Sequence, residues 1–371
     1  MGTSGLTAQS YGSKDSISQS QTLHRGLVVA MFSSFFLLAI SPLIYGPILQ
    51  IMNGEETETL RLARQYFIVA IWGCPAVLAS FVLSGWFLGM QNSRIPMYMA
   101  LCTNLVNIVV SVSLVYACGL KIEGVAIGTA SAQWAGAILG FVFIKLKYKP
   151  LQTPIRSLLN TGALRAYFKL HFDIFLRTLC LIAVTLWFTH SGAASGVFIL
   201  AANALLLQLF FLFSYFMDGF AYAGEALGGK YAGASDNAGV ISLTQELIKT
   251  GIFFALLFST IYAFGGELIF KLLSDNEQVR TVASSYLWWA VALPICGFMA
   301  FVLDGIMIGL MKTRGMLIAL LGGAIIFFVF YFISQFFHMG NHGLWLAFDL
   351  YLAARGFIQL WEIKKGNSFN S

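Results

Sequence analysis

The chain has 371 residues, of which 58% are hydrophobic and only 10% charged, and its formal net charge is +6. A soluble domain carries about 25% charged residues, so a water-soluble fold of this composition would expose far too much apolar surface. The composition therefore predicts an all-α polytopic membrane protein, and it excludes soluble enzymes and disordered chains. The lysines and arginines stand at the ends of apolar runs, which is typical of topology signals and not of a nucleic-acid surface.

Ten apolar runs are long enough to cross a bilayer, which takes about 20 helical residues per crossing. They are 26–51, 65–91, 95–120, 124–144, 167–190, 197–227, 247–268, 282–311, 315–337 and 343–361. The stretch 178–217 has no Asp, Glu, Lys or Arg, but the small residues at 191–196 predict a tight turn between two helices there. We therefore expect ten full transmembrane helices.

The segment 150–166 differs from the apolar runs because it is basic and contains Pro150 and Pro154. It is expected to be a cytoplasmic linker with a short amphipathic stretch, between an N-terminal lobe at 1–149 and a C-terminal lobe at 167–371. With alternating loops, 15 lysines and arginines fall on one side of the membrane and 5 on the other. The positive-inside rule then places both ends of this chain in the cytoplasm, with the protein in the inner membrane.

An internal repeat relates the two halves of the chain at an offset of about 220 residues. The sequence 84–89 followed by Arg94 matches 304–309 followed by Arg314. Because both copies enter the membrane from the same side, the repeat is parallel, as in transporters built from two helical bundles. The same arithmetic places the counterparts of two second-half helices before Met1, so two helices are expected to be missing from this chain.

Ionisable side chains inside a bilayer cost about 2.5 to 3.5 kcal/mol each on insertion scales, so each needs a partner, water or a function. The candidates are Asp173, Arg177, Asp218, Glu225, Asp304 and Asp349, with Arg355 as a seventh. Asp304 is the strongest candidate for binding a coupling ion, because it lies inside a long helix that Pro294 breaks and replaces the neutral Ser84 of the first copy. The alternative is a structural Asp that neighbouring hydroxyls or backbone groups satisfy.

Two further pairs of candidates lie along single helices. Asp173 and Arg177 are four residues apart, share a helix face and are expected to form a local ion pair with either a structural or a gating role. Asp218 and Glu225 are seven residues apart and also return to nearly the same face. Asp218 is the deeper of the two and the functional candidate, whereas Glu225 is placed nearer the interface.

The sequence contains no HExxH, no Ser/His pairing and no Gly-rich phosphate loop, so we predict no enzyme, no catalytic residue and no cofactor. The five cysteines have no CxxC spacing, so no zinc site is predicted. The coupling ion is left as Na⁺ or H⁺, with a sodium site near Asp304 as one option. Asp349 and Arg355, six residues apart, are not expected to pair, and Asp349 is interpreted as a packing or water-bridged residue.

The sequence 217–226, which reads Met-Asp-Gly-Phe-Ala-Tyr-Ala-Gly-Glu-Ala, and the upstream Asp-Ile-Phe-Leu-Arg-Thr at 173–178 resemble the multidrug and toxic compound extrusion (MATE) family. Within that family the likeness is to the DNA-damage-inducible protein F branch, and it spans the whole chain. The resemblance implies two six-helix lobes, with twelve helices in the family. It also implies exchange of organic cations or other xenobiotics for Na⁺ or H⁺ by alternating access.

The same resemblance implies roles for the candidate residues. Asp304 matches the acidic residue of the family's tenth helix, implicated in ion coupling or substrate binding. Asp173 and Arg177 match the seventh-helix pair, and Asp218 and Glu225 match the eighth-helix acids. The family's first-helix aspartate has no counterpart in this chain. On this basis Asp304→Asn is expected to abolish dye efflux without lowering the amount of protein in the membrane.

Two alternatives to an antiporter are a lipid-linked oligosaccharide flippase of similar architecture and a truncated remnant that transports nothing. A flippase needs a cationic groove for a pyrophosphate headgroup, and Arg177 and Arg355 are the only cations at membrane depth. The expected partners are a small cationic or amphipathic molecule and membrane lipids, with no nucleic acid. The chain is expected to be a monomer.

Overall fold

The computed structural model describes residues 2–51, 58–148 and 161–366, which form helices and short turns with no strand among them. The helices are α1 (Gly2–Gly12), α2 (Ser16–Ile51), α3 (Glu58–Ala70), α4 (Cys74–Gly89), α5 (Arg94–Tyr116), α6 (Ile122–Phe143), α7 (Thr161–Ala194), α8 (Val197–Gly233), α9 (Asn237–Leu273), α10 (Glu277–Ser285), α11 (Leu287–Gly309), α12 (Thr313–Phe336) and α13 (Gly340–Gly366). A 3₁₀ turn, Ile71–Gly73, joins α3 to α4, and a π turn, Ile144–Tyr148, follows α6. The prediction of an all-α membrane protein is confirmed.

Within the described residues, nine stretches are long and apolar enough to cross a membrane. They correspond to the first nine predicted spans, and the joined helices α3 and α4 count as one of them, Leu60–Gly89. The tenth predicted span, 343–361, is helical throughout as part of α13. It does not reach the same apolarity, since α13 carries Asp349, Arg355 and a charged last turn.

The contacts divide the chain into two compact units, Thr3–Leu164 and Arg165–Ser371, which we call the N-terminal and C-terminal units. Of the predicted linker, 150–160 lies outside the described residues, and 161–166 form the start of α7. In the N-terminal unit, α4 packs against α2 and α6, and Leu83, Trp86 and Phe87 of α4 lie in its core.

Helix α11 is the central helix of the C-terminal unit and packs against α8, α9 and α13. Its most apolar window is 72% buried, whereas the other spans bury 6% to 33% of theirs. Every residue from Ala300 to Gly309 is buried. An ionisable side chain on this part of α11 is therefore surrounded by protein, which is the environment that such groups require inside a bilayer.

The internal repeat is visible in the turns that precede two long helices. Asp15 caps α2 by accepting from the Ser18 backbone at 3.0 Å, and Asp236 caps α9 by accepting from the Gly239 backbone at 2.8 Å. Hydrogen bonds from the Ser18 hydroxyl and backbone lower the pKa of the exposed Asp15 carboxyl. The residues before these caps, Lys14 and Ser235, have φ of 58° and 57°. Both caps follow a residue in the left-handed region, so the two turns share one geometry.

A second pair of matching turns follows the helices that carry the repeated sequence 84–89 and 304–309. Gln91 after α4 and Met311 after α11 both have φ of 60°. At an offset of about 220 residues, α1 corresponds to the last part of α8. These backbone features support the repeat that the sequence predicts.

The predicted tight turn at 191–196 is confirmed, since α7 ends at Ala194 and α8 begins at Val197. Gly196 has φ of 115°, a conformation that only glycine adopts without strain. The predicted break at Pro294 is wrong, because Pro294 lies inside the continuous helix α11. The break falls earlier, at Tyr286 between α10 and α11. A proline removes one helical hydrogen bond, and a helix packed on several sides accommodates that loss.

Candidate functional site

Glycines allow α8 and α11 to approach closely beside the strongest candidate residue. A Cβ atom added at Gly305 would lie 2.0 Å from the Ala221 carbonyl oxygen, and one added at Gly309 would lie 2.5 Å from that of Glu225. Such distances leave no room for a side chain, as at the small-residue interfaces of membrane helices. The contact fixes the neighbouring Asp304 between α8 and the other helices of the C-terminal unit.

Asp304 is the centre of a buried polar cluster built from three helices. Its Oδ2 accepts hydrogen bonds from Nη2 of Arg177 on α7 and from Nη2 of Arg355 on α13. Its Oδ1 accepts from Nε2 of Gln359 on α13 at 2.5 Å. Asp304 and Arg177 are each 8% exposed, Arg355 is 3% exposed and Gln359 is fully buried. We call these four residues the Asp304 cluster.

The charge of the Asp304 cluster determines what it can bind. Two guanidinium groups share one carboxylate, so the formal charges of the cluster leave one positive charge in excess. The Nε groups of both arginines and Oε1 of Gln359 have no hydrogen-bond partner within the described residues. A metal cation at Asp304 would have to displace these donors, so this conformation does not favour the predicted sodium site. The part of the chain that the structure describes contains no group of three or more His, Cys, Asp or Glu residues suited to a metal.

Asp218 on α8 lies within electrostatic range of Asp304 and Arg355. It is half-buried and forms no hydrogen bond or ion pair within the described part of the chain. Its negative charge offsets the excess positive charge of the Asp304 cluster when both are ionised. Asp218 and Asp304 therefore act on each other electrostatically, although they lie on different helices.

One face of α8 carries both aromatic and acidic side chains. Phe211, Tyr215, Asp218, Tyr222 and Glu225 follow a spacing of four, three, four and three residues, which keeps them on one side of the helix. The rings at 211, 215 and 222 are 37%, 73% and 45% exposed. Glu225 at the end of the face is buried and acts electrostatically on Tyr222. We call this the aromatic-acid face of α8.

The predicted ion pair between Asp173 and Arg177 is wrong. Arg177 pairs with Asp304, and Asp173 accepts instead from the Thr313 hydroxyl at 3.1 Å. The spacing on α7 permits a local pair, but Arg177 is buried and lies against α11, where the carboxylate of Asp304 is available. A buried guanidinium is stabilised more by a desolvated carboxylate than by a partner at the helix surface.

Gln359 is not among the site residues that the sequence predicts. Arg355 is among them, but the sequence predicts no partner for it. The positions of Arg355 and Gln359, four apart on α13, indicate a shared helix face. A buried glutamine beside a buried arginine is a signal for a polar cluster, although the sequence alone does not show that Asp304 completes it.

Lys312, between α11 and α12, lies near the same end of the C-terminal unit as Gln359. Its Nζ donates to the Ile363 carbonyl at 3.4 Å. Burial lowers the pKa of the Lys312 ammonium, and the nearby negative charge of Glu362 acts in the opposite direction. This ammonium group is separate from the Asp304 cluster, whose hydrogen bonds come from Arg177, Arg355 and Gln359.

A second buried polar group lies at the other end of α13. Asn203 on α8 and Asn341 on α13 exchange two amide hydrogen bonds of 2.8 and 2.9 Å, and the Trp345 indole donates to Asn203 at 2.9 Å. All three side chains are buried. Because these bonds join α8 to α13, the group holds the two helices together at this end.

Asn341→Leu is expected to lower the stability of the C-terminal unit by about 1–3 kcal/mol, because it leaves buried amide groups of Asn203 without partners. Thermal unfolding of the purified protein in detergent measures the change. The double variant Asn203→Leu/Asn341→Leu removes both amides and should recover part of the loss. A single variant as stable as the unsubstituted protein would contradict this role of the pair.

Comparison with known proteins supports the architecture. The MatE family model matches residues 1–113 and 170–333. DNA damage-inducible protein F of Escherichia coli (strain K12) is 34% identical over 362 residues, covering 96% of this chain and 77% of that protein. Protein DETOXIFICATION 45, chloroplastic, of Arabidopsis thaliana is 26% identical over 365 residues, and the match covers 94% of this chain and 64% of that protein.

The fold also matches a solved structure, that of a multidrug resistance MATE family transporter of the MOP superfamily in an outward-facing conformation. The TM-score is 0.88 at 16% sequence identity, and the match covers all of this chain and 84% of that one. The resemblance stated from the residues at 173–178 and 217–226 is thereby confirmed. The chain is a multi-pass membrane transporter and not an enzyme, and it belongs to the MATE family.

Proposed function

We propose that this protein is a secondary antiporter that exports organic cations and other xenobiotics in exchange for protons by alternating access. We place it in the inner membrane, with both ends of this chain in the cytoplasm and the protein acting as a monomer. The observation that carries the proposal is the Asp304 cluster, in which two buried arginines share one carboxylate while Asp218 lies within electrostatic range. The charge of this group changes by one when a single carboxyl takes up a proton.

The choice of protons over sodium follows from the donors around Asp304. Both of its carboxylate oxygens already accept hydrogen bonds from cationic or amide groups. A sodium ion needs several free oxygen ligands, whereas a proton needs one carboxylate oxygen. Asp218 supplies such an oxygen, since it is half-buried and forms no hydrogen bond within the described part of the chain. We therefore assign Asp218 as the proton acceptor and the Asp304 cluster as the group that responds to its protonation.

The aromatic-acid face of α8 supports a cationic substrate. A planar cation gains attraction from the faces of aromatic rings and from a nearby carboxylate. Tyr215 and Tyr222 are exposed on either side of Asp218 along the helix. A substrate cation and a proton would then compete for the same carboxylate, which is the condition for exchange between them. The solved transporter of the same fold is a multidrug resistance protein.

The proposal is tested by measuring efflux of ethidium from liposomes that contain the purified protein. A pH gradient alone should drive efflux, and a sodium gradient at equal pH on both sides should not. Efflux that follows only the sodium gradient would refute proton coupling. Turnover that requires a lipid-linked oligosaccharide and ignores ethidium would instead identify a flippase.

Asp218→Asn is expected to bring pH-driven ethidium efflux down to the rate of protein-free liposomes, because asparagine carries no titratable proton. Binding of ethidium to the variant should no longer change with pH between the values used for the gradient. The matched control is Glu246→Gln on α9, which removes an exposed carboxylate that pairs with Lys249 at the surface. Unchanged efflux in Asp218→Asn would remove Asp218 from the mechanism.

A further inference from the structure

Outside the Asp304 cluster, the structure buries a carboxyl group that has no hydrogen-bond partner in the described part of the chain. Asp349 on α13 is 4% exposed, and neither of its carboxylate oxygens has a hydrogen-bond partner within the described residues. It lies six residues before Arg355, a rise of about 9 Å along the helix, and eight residues after Asn341, a rise of about 12 Å. Asp349 therefore lies between the two buried polar groups of the C-terminal unit and belongs to neither.

The surroundings of Asp349 on its own helix are aromatic and aliphatic. Trp345, Phe348 and Leu352 are buried in the main core of the C-terminal unit. The Phe348 ring lies 5.1 Å from that of Phe188 on α7 and 5.3 Å from that of Phe210 on α8. These contacts exclude the water that would otherwise solvate an ionised carboxylate.

In the described parts of the neighbouring helices, no charged side chain acts on Asp349. From α11, the Cys296 thiol is the titratable group that interacts with it. Helix α12 has no charged residue between 316 and 336, and its Tyr331 hydroxyl accepts from Ser191 at 3.1 Å. Arg177 of α7 is bonded to Asp304, and the acids of α8 face the Asp304 cluster and Tyr222. Within the described residues, no charged group acts electrostatically on Asp349.

We propose that Asp349 is a proton-binding site of the C-terminal unit, separate from the Asp304 cluster, and that it carries its proton in this conformation. A buried carboxyl with no hydrogen-bond partner and no counterion among the described residues is neutral, because ionisation there would leave an unpaired charge in an apolar environment. The proton leaves when the contact of α13 with α11 opens and water reaches the carboxyl. The role of this proton in transport rests on the proposed antiport, whereas its binding to Asp349 does not.

Infrared spectroscopy of the full chain in lipid tests whether Asp349 is protonated. A protonated carboxyl gives a carbonyl stretching band that an ionised carboxylate lacks. This band should be present in the unsubstituted protein, lost in Asp349→Asn and retained in Asp275→Asn, which changes an exposed carboxyl of the same unit. If Asp349→Asn does not fold, Asp349→Glu should shift the band instead. A difference spectrum that shows only ionised carboxylate at 349 would overturn the proposal.

Ethidium efflux driven by a pH gradient tests the role of the proton in transport. Asp349→Asn should bring efflux to the rate of protein-free liposomes, and Asp349→Glu, which keeps a titratable carboxyl, should restore it. Efflux that is unchanged in Asp349→Asn would overturn the transport role. Failure of the unsubstituted protein to respond to a pH gradient would refute the proposed antiport, and the infrared band would still decide whether Asp349 binds a proton.

Discussion

Asp304→Asn is expected to abolish ethidium efflux and to destabilise the C-terminal unit by about 3–5 kcal/mol, the usual cost of removing one partner from a buried ion pair. The substitution leaves Arg177 and Arg355 buried without the carboxylate that they share. Thermal unfolding in detergent and the amount of protein in the membrane measure the loss of stability. From the sequence alone, Asp304→Asn is expected to abolish efflux without lowering the amount of protein in the membrane. The contacts of Asp304 add a loss of stability to that expectation.

A charge-compensating variant separates stability from transport. Asp304→Asn combined with Arg177→Gln removes one charge of each sign, so it should unfold at a higher temperature than Asp304→Asn alone. Efflux should remain absent, since the carboxylate that responds to Asp218 is missing. Asp275→Asn, an exposed control, should change stability by less than about 0.5 kcal/mol. An Asp304→Asn protein with normal stability and normal efflux would refute the role of the cluster.

Gly305→Ala is expected to destabilise the C-terminal unit by about 1–3 kcal/mol or more, because the added methyl group meets backbone that cannot rotate away. The new Cβ would lie 2.0 Å from the Ala221 carbonyl oxygen and 2.6 Å from the Ala221 Cα atom. Helix α8 would have to move away from α11, which also displaces Asp304 from its partners. Thermal unfolding and efflux should both be impaired.

The repeat supplies a matched control for this prediction. At the equivalent Gly85 of α4, the nearest atoms to an added Cβ are at 3.4 and 3.5 Å, which is ordinary van der Waals contact. Gly85→Ala should therefore be close to neutral. Gly219→Ala on α8 has nothing within 4 Å and should be neutral or slightly stabilising, because alanine favours helix. Equal effects of Gly305→Ala and Gly85→Ala would contradict the close contact of α8 with α11.

The class, the helices and the turns of this protein follow from its sequence. Hydropathy depends only on the residues of each segment, so the apolar runs predict where helices form. The turn at Gly196 and the capping residues Asp15 and Asp236 are equally local, because a turn or cap depends on a few consecutive residues. The repeat at an offset of about 220 residues was also readable, and its matching turns appear in the structure.

Only the tertiary structure decided which buried charges meet. The four-residue spacing of Asp173 and Arg177 predicts a local pair, yet Arg177 bonds to Asp304, 127 residues away in the chain. Gln359 and Arg355 join the same carboxylate from α13, whereas Asp349 on that helix has no partner within the described residues. Sequence periodicity gives the face of a helix on which a residue lies. Which residue it meets there depends on which helices pack together and on how far each is shifted along its axis. Close glycine contacts, such as that of Gly305 with Ala221, determine both the pairing and the shift.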